Sequence, residues 1–267
     1  MKEPVLILSD LHLGHTASKI ESVEQLRPLI DGAGTVVFNG DTFQELATDF
    51  RERADGLLND LRNLCEELGA ETVFLPGNHD PGWEGQGWLE LAGGKIVITH
   101  GDAVMWGGSP WSRESITRSE RLKKLWAENQ EADHDVVERL GLARKMAMVL
   151  KPPRIPKARS FFGRAMDAVN PPRRSLEILR VWISQADRAA EFAERYFPKA
   201  EVLVLGHFHW RGCWTRSGRL IVNTGAYVNP HSASWVGYED GWMKVGNVEE
   251  QDGVFSKEEA SSVWNVD

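Results

Sequence analysis

The sequence predicts an α/β layered fold with a helical segment inserted near its middle. Three observations carry that expectation. Short apolar runs recur along the chain, at Val5–Leu8, Val36–Phe38, Val73–Leu75, Ile96–Ile98, Val202–Leu205 and Leu220–Val222. Continuous apolar strands of this length suit a sheet covered on both faces. Helix-like stretches separate the early runs, and strand alternating with helix is the mark of layered α/β folds. Five of the runs end in Asp, Asn or His, at the carboxyl ends of strands where open α/β sheets bind ligands.

The elements follow in order. Ser22 to Ile30 reads as a short helix. Asp49 to Leu68 reads as a longer one, because Leu57, Leu58, Leu61, Leu64, Cys65 and Leu68 recur at helical spacing and Gly69 supplies a stop. After Met105 the pattern changes. Ser112 to Leu150 is rich in helix formers, and Ser115, Arg118, Leu122, Leu125 and Trp126 fit one amphipathic face. The prolines of residues 151–174 predict a loop or short helices. Helix resumes from Ser175 to Phe197. Residues 105–199 are therefore expected to form a helical cap inserted between strands of a core made by 1–104 and 200–248. Late antiparallel strands are expected in SASWVGYED and GWMKVGN, and the acidic stretch 249–267 reads as a solvated tail that Phe255 and Trp264 could dock.

Composition bounds the function. The 267 residues are 42% hydrophobic and 26% charged, ordinary for a globular protein with one large domain. The longest uninterrupted apolar run is Met146 to Leu150, far below the roughly 20 residues of a membrane-spanning helix. No secretory signal is visible. Cys65 and Cys213 do not make a disulfide framework and read as free thiols in a reducing cytoplasm. Net charge is −8, yet Arg139 to Arg180 holds eleven Lys/Arg against Asp167 and Glu177. That local +9 leaves −17 for the rest. The basic stretch either meets an anion or is a solvated helical face. The overall acidity disfavours a broad nucleic-acid surface.

The strand ends carry the chemistry. Val5–Leu8 runs into Asp10 and His12; Val36–Phe38 into Asp41; Val73–Leu75 into Asn78, His79 and Asp80; Ile96–Ile98 into His100 and Asp102; Val202–Leu205 into His207 and His209. Asp10 and His12 are two apart, as are His207 and His209, so an extended chain would aim each pair one way. Glycines stand before Asp41, Asn78 and His207, where a crowded site requires sharp turns and close backbone approach. Carboxylates with imidazoles and no cysteine suit Mn²⁺, Zn²⁺ or Fe²⁺ rather than a structural zinc. Asp10, His12, Asp41, Asn78, His100, His207 and His209 are too many for one ion and fit two ions sharing a carboxylate. Paired ions about 3.5–4 Å apart are the clamp of phosphoryl hydrolysis.

In this order, the blocks DLH, GD, GNHD, TH and GHFH resemble the calcineurin-like metallophosphoesterase superfamily, over roughly residues 1–104 and 200–245. The resemblance implies a four-layer sandwich, two packed mixed sheets flanked by helices. It implies one ion on Asp10, His12 and His209, another on Asn78, His100 and His207, and Asp41 as the bridge. Mn²⁺ heads the candidate metals, with Fe, Zn and Mg as alternatives. The implied activity is hydrolysis of a phosphate mono- or diester through in-line attack by a bridging hydroxide. His79 matches the histidine that contacts the substrate phosphate and can protonate the leaving oxygen, with Asp80 orienting or polarising it. An imidazolium at His79 would be favoured by that neighbouring carboxylate.

Other residues read more quietly. His15 fits a support for the metal donors or an exposed turn; Asp102 fits a substrate contact or a turn former. His134 reads as solvated, His231 is uninformative, and Asn223 reads as a structural turn. Trp106, Trp111 and Trp126 suit cap packing or, alternatively, an apolar wall for a lipid or nucleoside. One relevant branch, the UDP-2,3-diacylglucosamine diphosphatases of lipid A synthesis, shares HGD at the fourth block and a helical insertion there. That branch has arginine where this chain has His79. The basic cap would there touch a lipid-linked substrate or a membrane surface. A reading of another class, an inactive interaction scaffold of the same fold, predicts missing metal donors, and none is missing here.

Overall fold

The computed structural model describes residues 1–105, 115, 118–150 and 172–266. Trp106, Trp111 and the proline-rich basic stretch expected at 151–174 fall mostly outside the described residues. In chain order the first half runs β1 (Val5–Leu8), α1 (Arg27–Ile30, after a 3-10 turn at Val23–Leu26), β2 (Thr35–Asn39), α2 (Arg51–Glu67), β3 (Glu71–Leu75), β4 (Trp88–Leu91) and β5 (Ile96–Thr99). Three longer helices follow among the described residues: α3 (Ser119–Glu128), α4 (Val136–Leu150) and α5 (Pro172–Tyr196). The second half is β6 (Val202–Leu205), β7 (Gly212–Arg216), β8 (Arg219–Asn223), β9 (Ser234–Glu239), β10 (Trp242–Gln251) and β11 (Val254–Asn265).

The strands form two mixed sheets, in the orders β11-β10-β9-β1-β2-β3 and β4-β5-β6-β8-β7. In the first, β1–β2 and β2–β3 are parallel and β9 joins β1 antiparallel. In the second, β5–β6 and β6–β8 are parallel with antiparallel strands at both edges.

Strand alternation explains why the runs are apolar throughout. Val5 and Ile7 of β1 meet Ile96, Ile98, Val202 and Val204 between the sheets. Leu6 and Leu8 face the other way, onto Leu57, Leu58, Leu61 and Leu64 of α2. In the same manner Leu203 and Leu205 face Ala186, Ala189, Ala190 and Ala193 of α5. Both faces of each central strand are thus dry, and the architecture is the four-layer α/β sandwich. α2 ends where expected: Gly69 has φ +70 and the Ala70 N–H returns to the Cys65 carbonyl at 2.9 Å.

Two sequence expectations give way. The residues from 249 are strand, not solvated tail: they complete β10 and form β11. Phe255 is buried against α1 and α2, and Ala260 and Trp264 are partly buried, while Glu258 and Glu259 face outward. Acidic composition hid a one-sided apolar pattern. The expected cap also loses part of its last helix, because the alanine face of α5 is the helical layer over the second sheet. In α3 and α4, Leu122, Leu142 and Met146 with Ala132 make a small separate cluster, and Trp126 packs against it.

Candidate metal centre

The five strand ends converge. Asp10 and His12 leave β1, Asp41 leaves β2, Asn78 and His79 follow β3, His100 follows β5, and His207 and His209 follow β6. Asp10, His12, Asp41 and His209 bring one donor atom each within 4.8 Å of one another, and Asp41, His100 and His207 do the same. Asp41 belongs to both groups.

The local backbone differs from the extended pairs expected. Asp10, His12, Asp41, His207 and His209 have φ of 54°, 49°, 49°, 65° and 56°. Left-handed backbone is uncommon for side chains with a Cβ and gathers at functional sites, where packing over-determines it. The i, i+2 pairs point together because each residue turns the chain, not because the chain is straight. Gly40 shows how tight the turns are: a Cβ there would lie 2.5 Å from the His100 ring. One at Gly77 would meet Asp41 and one at Gly206 would meet Asp10, closer still.

Supporting groups fix each donor. Asp10 accepts from Ser9 Oγ at 2.5 Å and from the His207 N–H at 3.0 Å, and Ser9 Oγ meets Thr224 Oγ1 at 2.5 Å. His100 Nδ1 donates to the Asn39 carbonyl at 3.0 Å, which leaves Nε2 as the nitrogen facing Asp41 Oδ1, 3.4 Å away. Asn39 Nδ2 donates to the Thr99 carbonyl, tying the two sheets together beneath the site. Asn223 donates to the Gly206 carbonyl and accepts from the Gly225 N–H, so it holds the turn before His207.

The electrostatics are those of donors crowded together. Burial, with His79 next, drives His12 well below the usual imidazole value. Burial alone would raise Asp41, yet His100 and His79 pull it well below the carboxylate range. Burial works against charging His100, but Asp41 lifts it well above the usual value. His12 Nε2 and His209 Nε2 stand 3.1 Å apart, and His209 Nε2 is 3.1 Å from Asp10 Oδ1. Asn78 Oδ1 and His100 Nε2 are buried with no hydrogen-bond partner. A buried acceptor left unmet, as Asn78 Oδ1 is, is costly unless a cation satisfies it. The donor set therefore fits divalent ions: carboxylate, imidazole and one amide oxygen, with no thiolate.

Around the donors the picture is mixed. His79 projects its ring beside His12, centroids 4.8 Å apart, with Nε2 3.9 Å from Asp41 Oδ2. Asp80 does not touch that ring. Its carboxylate accepts from the backbone N–H groups of Asp41 and Thr42 at 2.8 Å, from Gly77 at 2.9 Å and from Trp83 Nε1 at 3.1 Å. It staples two donor-bearing turns together, which corrects the expectation that it orients His79. Burial, with the Asp41 carboxylate next, pushes Asp80 up to about 7.

The partner of His79 is Gln44, which the sequence did not single out. Its amide is buried between His12 Nδ1 at 2.9 Å and His79 Nδ1 at 3.0 Å. His15 lies 6.1 Å from His12 and accepts from the Ala17 N–H; burial lowers it to about 4. Asp102 is buried in the turn after His100, where backbone N–H groups of the turn meet it. His134 is exposed. His231 comes closer than expected, 5.4 Å from His209 and 6.0 Å from Trp182, which also meets Trp210 at 4.6 Å. Trp126 lies under the Arg139 guanidinium, 4.4 Å away, packing within the helical segment.

A four-layer sandwich with paired carboxylate–imidazole groups at its strand ends defines the class of the metal-dependent phosphoesterases. A family model described as calcineurin-like phosphoesterase matches residues 3–211, and the chain belongs to that family. A search of curated proteins finds no match. Among solved structures the chain is similar to a dimetal phosphatase from Danio rerio, at 13% identity over 99% of this chain and 100% of that one, TM-score 0.47. It is similar to a predicted phosphoesterase from Streptococcus pneumoniae at 16%, over 97% and 98%, TM-score 0.38. Vps29 from Entamoeba histolytica, complexed with zinc, matches at 16% over 95% and 96%, TM-score 0.41. Among the described residues, no helix is long and apolar enough to cross a membrane.

Proposed function

We propose that this chain is a dinuclear metal-dependent hydrolase of phosphate esters. The observation that carries the reading is Asp41, one buried carboxylate shared by two groups of candidate donors. Asp10, His12 and His209 would hold one ion, Asn78, His100 and His207 the other. Two divalent ions there, Mn²⁺ first among them, would acidify a water and neutralise phosphoryl charge.

The chain's own residues do the rest. Asp80 fixes the turns that carry Asp41 and Asn78. His79 Nε2, on the half-exposed side of the site, would meet a phosphoryl oxygen. Trp182, Trp210 and His231 border the His209 side and would flank the organic part of the ester. The complete donor set speaks against an inactive scaffold. A pyrophosphate substrate of the UDP-diacylglucosamine type, and any membrane contact by the basic segment, stay as narrower alternatives within the same chemistry.

The test is hydrolysis of bis-p-nitrophenyl phosphate against p-nitrophenyl phosphate by Mn²⁺-reconstituted protein. Metal-dependent turnover of either supports the reading, and their ratio separates diesterase from monoesterase. Absence of turnover with two ions bound would sink it. His79→Ala keeps its metal and loses about 10²–10³ in kcat, the scale of one lost oxyanion donor.

A further inference from the structure

Two polar side chains of the helical segment between β5 and β6 are buried where neither reaches solvent. Arg139 of α4 is 4% exposed and Gln185 of α5 is 2% exposed. Such groups are kept inside a protein when their hydrogen bonds are met there. Arg139 lays its guanidinium over Trp126 and donates Nε to the Ala103 carbonyl at 2.7 Å, in the turn that follows His100. Gln185 accepts from Asn223 Nδ2 at 3.1 Å and donates Nε2 to the Trp182 carbonyl at 3.2 Å. The same Asn223 nitrogen donates to the Gly206 carbonyl at 2.8 Å, directly before His207. Both amides are fixed in this sense, because Asn223 Oδ1 accepts from the Gly225 N–H at 2.9 Å. Trp182 Nε1 donates to the Phe208 carbonyl at 2.9 Å, between His207 and His209. The two turns also hold each other: the Gly206 N–H donates to the His100 carbonyl at 2.8 Å.

We propose that Arg139 and Gln185 are positioning residues through which the helical segment sets one ion of the pair, the one assigned to His100 and His207. The inference rests on the two-metal reading of the site. His100 and His207 stand on the two turns that α4 and α5 grip by side chain. Asp10 and His12 are held from within the sandwich instead, by Ser9, by Gln44 and by the turn that carries Asp41. The helices therefore reach one ion through both of its imidazoles. They reach the other only through Asp41 and the shared turn that leads to His209. Helices that merely covered the second sheet would need nothing beyond the alanine face of α5. Groups behind the donors fix where the donor atoms stand, and an ion's affinity falls when they are removed.

The experiment is calorimetric titration of the metal-free protein with Zn²⁺, comparing wild type, Gln185→Met and Arg139→Met. Wild type is expected to take up two ions. Each variant should weaken one of them about 10-fold, the lower end of what supporting groups contribute, and leave the other nearly unchanged. Ser9→Ala identifies the ion, because it removes a hydroxyl from Asp10: in that background the Gln185→Met loss should fall on the ion that Ser9→Ala spares. Gln185→Met is close to isosteric and carries the test if Arg139→Met does not fold. Equal weakening of both ions, or unchanged affinities with only a lower resistance to denaturant, overturns the inference and leaves the two-metal reading standing. A wild type that takes up a single ion has a different signature: it overturns the two-metal reading, and the inference with it.

Discussion

The two halves of the site use nearly the same chemistry in different surroundings. His100 and His207 lie in the closed half, and the His100 side chain is only 1% exposed. Asp10 and His12 are also buried, but the His209 side chain is 27% exposed and borders the solvent-facing side with His79. Burial rather than ligand type distinguishes them. On the proposed function, the closed half would retain its ion, and the open half would exchange one and meet substrate.

The largest effect should come from the residue the halves share. Asp41→Ala is expected to leave neither ion by elemental analysis and no measurable turnover; two ions retained would break the bridge. Next is the staple across both. Asp80→Ala leaves several buried backbone N–H groups unmet, and each such group costs about 1–3 kcal/mol, so chemical denaturation should show a loss of roughly 3 kcal/mol or more.

A third experiment separates the halves. Ser9→Ala removes a hydroxyl from Asp10 in the open half, and losses of this kind weaken metal binding about 10- to 100-fold. Titration should show one site weakened and the other unchanged; equal weakening would mean the halves act as one. Fourth, burial works against charging His100 but Asp41 lifts it well above the usual imidazole value in the metal-free protein. An ion held through His100 Nε2 needs the neutral ring, so metal titrations at stepped pH should show affinity for the closed half falling as pH falls. The smallest effect is a control: Cys213 is exposed, whereas Cys65 is buried and its thiol is pushed up to about 12. A thiol reagent should label Cys213 alone in the native protein.

The central strands were legible because burial on both faces leaves a pure apolar run; β1 and β6 match the runs residue for residue. β4 and β7 were not, since edge strands need only one apolar side and WLEL and GCWTR look like loop beside their glycines. Six of the candidate donors named from strand ends fall in the two donor groups, yet the local conformation that aims them was read wrongly. A left-handed Asp10 or His12 has no sequence mark of its own. Gln44 escaped because a lone amide in a loop carries no periodicity, and only the two rings folded onto it reveal its place. Asp80 was noticed for its neighbour in sequence, but carboxylates bond to whatever donors the fold brings near.

β1 sits between β2 and β9, and every strand of the second sheet precedes β9 in the chain. A ribosome therefore delivers β1, β2 and β3 long before it delivers the strand that covers the free side of β1. Throughout that interval the nascent chain presents a bare row of amide and carbonyl groups, an invitation to pair with a stranger. Translation completes every strand of the second sheet first, and the first sheet closes only when β9 arrives to cover β1.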